Sequence, residues 1–199
     1  LFRSQLLLNL TPKYGNDNDY ADSIMQAVFD AFYTEINGRK NMKGGVYRIN
    51  MLPTTCHVYF GSVIGATPDG RKSGDVLSEG ISPVQGADRK GPTAVIKSAA
   101  KMDHLRTGGT LLNQKFTPQV LEGNEGLIKL THLIRSYFKL DGHHIQFNVI
   151  SAENLRKAQA EPEKYRDLIV RVAGYSDYFR NLNKKLQDEI IARTEYDSM

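Results

Sequence analysis

The sequence predicts an α/β fold with a mostly parallel sheet, on three observations. Short β-branched runs alternate with stretches of helical apolar spacing along the 199 residues. Glycine and proline clusters punctuate the joins between them. Near the end, the apolar run Leu168–Val172 passes Gly174 and enters Leu182, Leu186, Ile190 and Ile191, which fall at helical spacing with Asn181 or Asn183 to cap them. Gly174 is thus expected on a tight strand-to-helix connection, where a glycine supplies a positive φ or a close backbone approach.

The elements follow in order. Phe2, Leu6, Leu7 and Leu10 read as the middle of a helix entered at Leu1, an expectation of truncation. Thr11–Asn18 is a polar turn region, and Asp19 can cap a helix over Tyr20–Asn37 that Gly38 ends. Val46–Asn50 reads as a strand, and Pro53 separates it from a second one near His57–Phe60. Gly61–Gly91 is a long glycine- and proline-rich loop of the kind that is functional or packed against something larger. Pro92 opens a helix through Met102. Then come a strand over Thr110–Phe116, an amphipathic helix over Glu125–Phe138, and a strand over His143–Ile150 with Ile145, Phe147 and Val149 on one face. A helix from Asn154 to about Ala160, broken by Pro162, leads to the strand before Gly174.

Composition narrows the function classes. No run approaches the roughly 18 apolar residues of a membrane span, and no secretory leader is visible. The net charge of +4 is scattered among 22 acidic residues without a basic stripe, which argues against nucleic acid. The single cysteine, Cys56, excludes an intrachain disulfide framework and fits a reducing cytoplasm. Its expected role is a small buried core residue.

Other candidate sites read as structural. Gly65–Ser73 imitates a phosphate loop, but Arg71 stands where the lysine belongs, and Pro68-Asp69-Gly70 is a turn signal. Arg71 is expected to pair with a carboxylate or with carbonyls. His143 and His144 are adjacent on a strand and point to opposite faces, so no metal pair is expected. Asp69, Glu79 and Asp88 are expected as solvated loop charges.

The whole string Arg171-Val-Ala-Gly174-Tyr175-Ser-Asp-Tyr-Phe179, with Leu182, Gln187, Ile190, Ile191, Arg193 and Thr194, resembles the glycyl radical signature of the pyruvate formate-lyase superfamily. Further family strings are ATPDGRKSG, SPVQGADRKGPTAVIKS, GGTLLNQKF and GHHIQFNV, so the likeness runs from about Tyr14 to Thr194. It implies the C-terminal part of a ten-stranded glycyl radical enzyme barrel, with residues 1–120 in the lyase barrel domain and 121–199 as the glycine radical domain. It also implies that Gly174 stores an unpaired electron on its Cα, supported by Arg171 and Tyr175, and lies buried in the assembled enzyme. Outside that assembly Gly174 is expected to be mobile and solvent-reachable.

The remaining implications are of the same kind. A separate activating enzyme, carrying S-adenosylmethionine and an iron–sulfur cluster, removes the Gly174 hydrogen. The radical then passes to an upstream cysteine that Cys56, followed by His57 and Val58, does not match. Partners are the remainder of the enzyme chain, a second copy in a homodimer and a small-molecule substrate. Met51–Thr55 resembles a pocket-lining segment of dehydratases of hydroxylated compounds such as hydroxyproline or glycerol, which makes Leu52 and Thr54 substrate-binding residues. The implied function is a lyase or dehydratase. The alternatives are a formate C-acetyltransferase-type activity, or a stand-alone spare part that repairs an oxygen-cleaved partner; a non-catalytic α/β scaffold remains as a third reading.

Overall fold

A computed structural model describes residues 2–199, with side chains described from Leu6 onward. Helix α1 spans Phe2–Leu10 and α2 spans Asp19–Ile36. Asn18, not Asp19, caps α2: its side chain accepts from the Ala21 N–H at 3.2 Å, leaving Asp19 and Asp22 free to face the helix N-terminus. Asp22 is buried, and its charge is met by Lys101 Nζ at 2.7 Å and the Ser98 hydroxyl at 3.0 Å.

Two expected strands are absent. Val46 makes only an isolated antiparallel bridge with Lys40, and Met51 a parallel one with Thr110. His57–Phe60 lies in helix α3, Cys56–Val63, because the Cys56 N–H turns back to the Pro53 carbonyl at 2.9 Å. An apolar run this short does not distinguish strand from helix by periodicity. The helix buries His57 and Gly61, one turn apart, and leaves Cys56 exposed rather than in a core.

The long loop is ordered by its own hydrogen bonds. Arg71 donates to the carbonyls of Gly61 at 3.3 Å, Ile64 at 3.1 Å and Asp75 at 2.6 Å, and also to that of Gly65, as its turn context predicts. Two of the three acids expected in solvent are buried instead. Glu79 bonds Ser82, and Asp88 bonds Thr194 and Tyr196, so the loop is tied to the C-terminal end of the chain.

Helix α4, Pro92–Ala100, is followed by strand β1, Leu112–Phe116, helix α5, Gly123–Lys139, and strand β2, Ile145–Val149. β1 and β2 pair in parallel from Leu112 opposite Ile145 to Phe116 opposite Val149. Helix α6, Ala152–Ala160, leads to an antiparallel hairpin, β3 (Ile169–Arg171) and β4 (Ser176–Tyr178), and then to α7, Lys184–Ala192, capped by Asn183. Strand β5, Glu195–Tyr196, joins β1 in parallel on its other side. The mixed α/β class and the parallel sheet are as the sequence predicts. Among the described residues the sheet has order β2-β1-β5, and no closed barrel is present.

The three-stranded sheet separates two apolar clusters. Leu112 and Phe116 face Ile81, Val95, Ile96, Ala99, Leu133 and Tyr137, with Ile145 and Phe147 packed beside them. Leu155, Val170, Val172, Phe179, Leu186 and Ile190 form the second, around α6, α7 and the hairpin. Between it and the sheet lies a polar layer: Asn113 and Lys115 of β1, Gln146 and Asn148 of β2, all buried. In-register parallel neighbours project to the same face, so these four form one patch.

Candidate functional site

Gly174 lies in the turn between β3 and β4, not between a strand and a helix; Phe179–Asn181 makes a short 3-10 turn before α7 begins. Ala173 and Gly174 form the tip, closed by the Val172 N–H donating to the Tyr175 carbonyl at 2.8 Å. Gly174 has φ +79° and Ala173 does not have a positive φ, the pattern of a type II turn, whose third position demands glycine. A Cβ built on Gly174 would meet only Leu111 Cδ1, at 3.6 Å. Backbone conformation, not crowding, therefore selects glycine here.

The polar patch of the sheet grips this turn. Gln146 Oε1 accepts from the Gly174 N–H at 3.1 Å and from Arg171 Nε at 2.9 Å. Arg171 Nη2 donates to the Gly174 carbonyl at 3.1 Å, and its Nη1 to Ser176 Oγ at 3.3 Å. Asn148 pairs with the Arg171 backbone twice at 2.8 Å, accepting its N–H and donating to its carbonyl, as a sheet partner would. The Val172 carbonyl receives Arg193 Nη2 at 3.0 Å, with Asn113 Nδ2 and Gln146 Nε2 each at 3.4 Å. Both polar groups of the Gly174 residue thus have fixed partners, while the residue itself is solvent-exposed.

Behind the hairpin sits a buried charge cluster. Arg193 is forked onto Glu189, with Nε 3.0 Å from Oε1 and Nη2 2.8 Å from Oε2. Burial opposes ionisation of the Glu189 carboxyl, but the Arg193 guanidinium outweighs it and holds the acid well below the usual range. His57 Nε2 is 3.8 Å from Glu189 Oε2, beyond hydrogen-bond reach. Burial pushes Glu79 up. Burial also depresses Lys115 to about 8, although Glu195 lies 3.7 Å away. These groups fix α7 and β5 under the turn; among the described residues no three metal-ligating side chains gather as a metal site.

Of the residues singled out in the sequence, Arg171 and Gly174 are brought together directly. Tyr175 contributes its carbonyl to the turn, and its side chain is exposed. Leu52 is 37% exposed and Thr54 is exposed with φ +57°, and neither shares a hydrogen bond with the hairpin. Gln146, Asn148, Asn113 and Glu189 were not singled out. For Gln146, Asn148 and Asn113 the signal is a polar residue at alternate positions of β1 and β2; Glu189, on α7, has its signal in Arg193 four residues on.

The family described as Glycine radical matches residues 77–180, and Pyruvate formate lyase-like matches residues 3–61. The chain is 62% identical over 190 residues to trans-4-hydroxy-L-proline dehydratase of Clostridioides difficile, covering 96% of this chain and 24% of that protein. It is 47% identical over 199 residues to an isethionate sulfite-lyase of Nitratidesulfovibrio vulgaris, again covering 24% of the relative. Among solved structures, the C. difficile hydroxyproline dehydratase with trans-4-hydroxy-L-proline bound superposes with a TM-score of 0.93 at 60% identity, over 98% of this chain and 25% of that one. The glycerol-bound B12-independent glycerol dehydratase of Clostridium butyricum gives 0.94 at 50% identity, with the same coverage. The chain spans about a quarter of the length of the relatives it matches.

Proposed function

Because the chain belongs to the glycine radical family, we propose that Gly174 is the residue that stores the radical. One observation carries the assignment: the family signature falls on a turn whose glycine needs its positive φ and has both its N–H and its carbonyl held by side chains. An unpaired electron on Cα is shared with the amide nitrogen on one side and the carbonyl on the other, which requires a planar, uncrowded backbone. Glycine meets that need, and the hydrogen bonds hold the two amide groups in place.

In the whole protein, the Gly174 Cα–H bond breaks homolytically and the hydrogen atom leaves to an organic radical supplied by an activating enzyme that uses S-adenosylmethionine and an iron–sulfur cluster. Hydrogen-atom transfer from an upstream cysteine thiol back to Gly174 then creates the thiyl radical that attacks substrate. Cys56, exposed in the first turn of α3 and away from the family's cysteine pattern, is not that group. The protein is proposed to be a cytoplasmic homodimer acting as a lyase or dehydratase, and Leu52 and Thr54 to line its pocket. The 62% identity to a hydroxyproline dehydratase favours dehydration of a hydroxylated small molecule over the other reactions of the relatives.

Anaerobic activation followed by electron paramagnetic resonance tests the radical: a doublet is expected from wild type and none from Gly174→Ala. Dehydration of trans-4-hydroxy-L-proline tests the substrate class. Cleavage of isethionate with release of sulfite, and no dehydration of hydroxyproline or glycerol, would overturn that choice.

A further inference from the structure

The Gly174 turn is held by one side chain whose role exceeds anchoring. Gln146 is 6% exposed and sits on β2, in the centre of the buried polar patch. Its oxygen must be the atom facing the turn, because both groups that meet it there, Arg171 Nε–H at 2.9 Å and the Gly174 N–H at 3.1 Å, can only donate. Its amide nitrogen is directed the other way, to the Val172 carbonyl at 3.4 Å and to Asn113 Oδ1. On the opposite side of Gly174, the Arg171 guanidinium donates to the carbonyl at 3.1 Å. One acceptor on the N–H and one cationic donor on the C=O therefore flank the same Cα.

That arrangement has an electronic consequence. A Cα radical is stabilised when the adjacent nitrogen gives electron density and the adjacent carbonyl withdraws it. An acceptor on the N–H strengthens the first effect, and a charged donor on the carbonyl strengthens the second. We propose that Gln146, paired with Arg171, is the residue that tunes spin distribution and stability of the Gly174 radical, a role that rests on Gly174 being the radical site. Homolysis of the Cα–H bond removes a hydrogen atom with one electron and leaves no new charge. The two hydrogen bonds are thus already in place for the radical and need no rearrangement. Gln146 is a positioning residue in this scheme: it acts on the amide of Gly174 and touches no substrate.

The test uses the full-length enzyme, activated anaerobically after labelling with ¹⁵N-glycine, in wild type, Gln146→Leu and Gln146→Glu. Electron–nuclear double resonance reads the spin on nitrogen, and the Cα–H doublet reads the spin on carbon. Gln146→Leu removes the acceptor shared by the Gly174 N–H and Arg171 Nε, and is expected to lower the radical yield about fivefold. Its ¹⁵N coupling should fall and its doublet widen. Gln146→Glu keeps an acceptor and should restore coupling and yield. A wild-type doublet with couplings and yield unchanged in Gln146→Leu overturns the role of Gln146 while leaving Gly174 as the radical site. Loss of the doublet in both variants reduces Gln146 to structural support and also overturns the proposal. A wild type without a doublet removes Gly174 and the role of Gln146 together.

Discussion

Replacing Arg193 with methionine removes the cation on which the underside of the hairpin depends. The Glu189 side chain is fully inaccessible and that of Arg193 is 7% exposed. The substitution therefore leaves a carboxylate in the interior with Gln85 Nε2, at 3.0 Å, as its remaining hydrogen-bond donor. It also strips the shortest of the three donors from the Val172 carbonyl, 3.0 Å against 3.4 Å for the other two. Breaking a buried pair from one side costs about 3–5 kcal/mol. The Gln85 contact places the expected loss near the lower end. Urea unfolding is the assay, and at a slope of about 1–3 kcal/mol per molar the midpoint should fall by about 1 M or more. The double variant Arg193→Met/Glu189→Gln removes both charges and should recover much of the loss. A single variant within about 1 kcal/mol of wild type, the range of a surface pair, would refute the claim that this pair is a desolvated support of the turn.

Three further outcomes follow from the same geometry. Asn148→Ala deletes both bonds to the Arg171 backbone, so the variant should lose about 1–3 kcal/mol and the Arg171 amide should exchange faster with deuterium. Gly174→Ala should fold: with Leu111 Cδ1 3.6 Å away there is room for the methyl, and the positive φ should cost only about 1–2 kcal/mol in thermal unfolding. The Glu189 carboxyl is held below its ordinary value of 4.5, so its contribution to stability is present above that pH and is lost as the pH falls toward its folded value. Glu189→Gln should therefore flatten the acid limb of the stability–pH curve below 4.5, and an unchanged limb would contradict the ion-pair account.

What the sequence made legible was set by local signals. Pro92 starting α4, Asn183 capping α7 and the apolar stripe of α5 are written in residues a few positions apart, and each element formed where those signals lie. The Cys56–Val63 helix resembles a strand in the sequence because its eight residues carry too little period to decide, and the turn at Pro53 that starts it is a tertiary choice. The sequence puts Gly174 directly before a helix because β4, three residues long and not fully buried, has no apolar pattern of its own. Its strand character comes from pairing with β3. The burial of the two acids is hidden from the sequence for a related reason. Glu79 and Asp88 are loop residues by local grammar, and what buries them are Ser82, Thr194 and Tyr196, the last two over 100 positions away in sequence.

At the site, Gly174 and Arg171 could be named from the signature string, but the side chains that position them could not. Gln146 and Asn148 alternate with Ile145, Phe147 and Val149, which in an isolated strand marks a polar face toward water. Here that face is covered by the hairpin and α7, and each polar group is satisfied by backbone it meets only after folding. The buried glutamine facing a glycine turn is the feature that converts a local motif into a site.

The central claim is that Gly174 carries the unpaired electron, and labelling tests it most directly. Full-length enzyme grown with α-deuterated glycine and activated without oxygen should show the wild-type doublet collapsed toward a single line, since the splitting comes from the one hydrogen left on Cα. Gly174→Ala, folded, should show no signal. A doublet that survives deuteration, or one of equal intensity in the Gly174→Ala enzyme, would place the radical elsewhere and contradict the account.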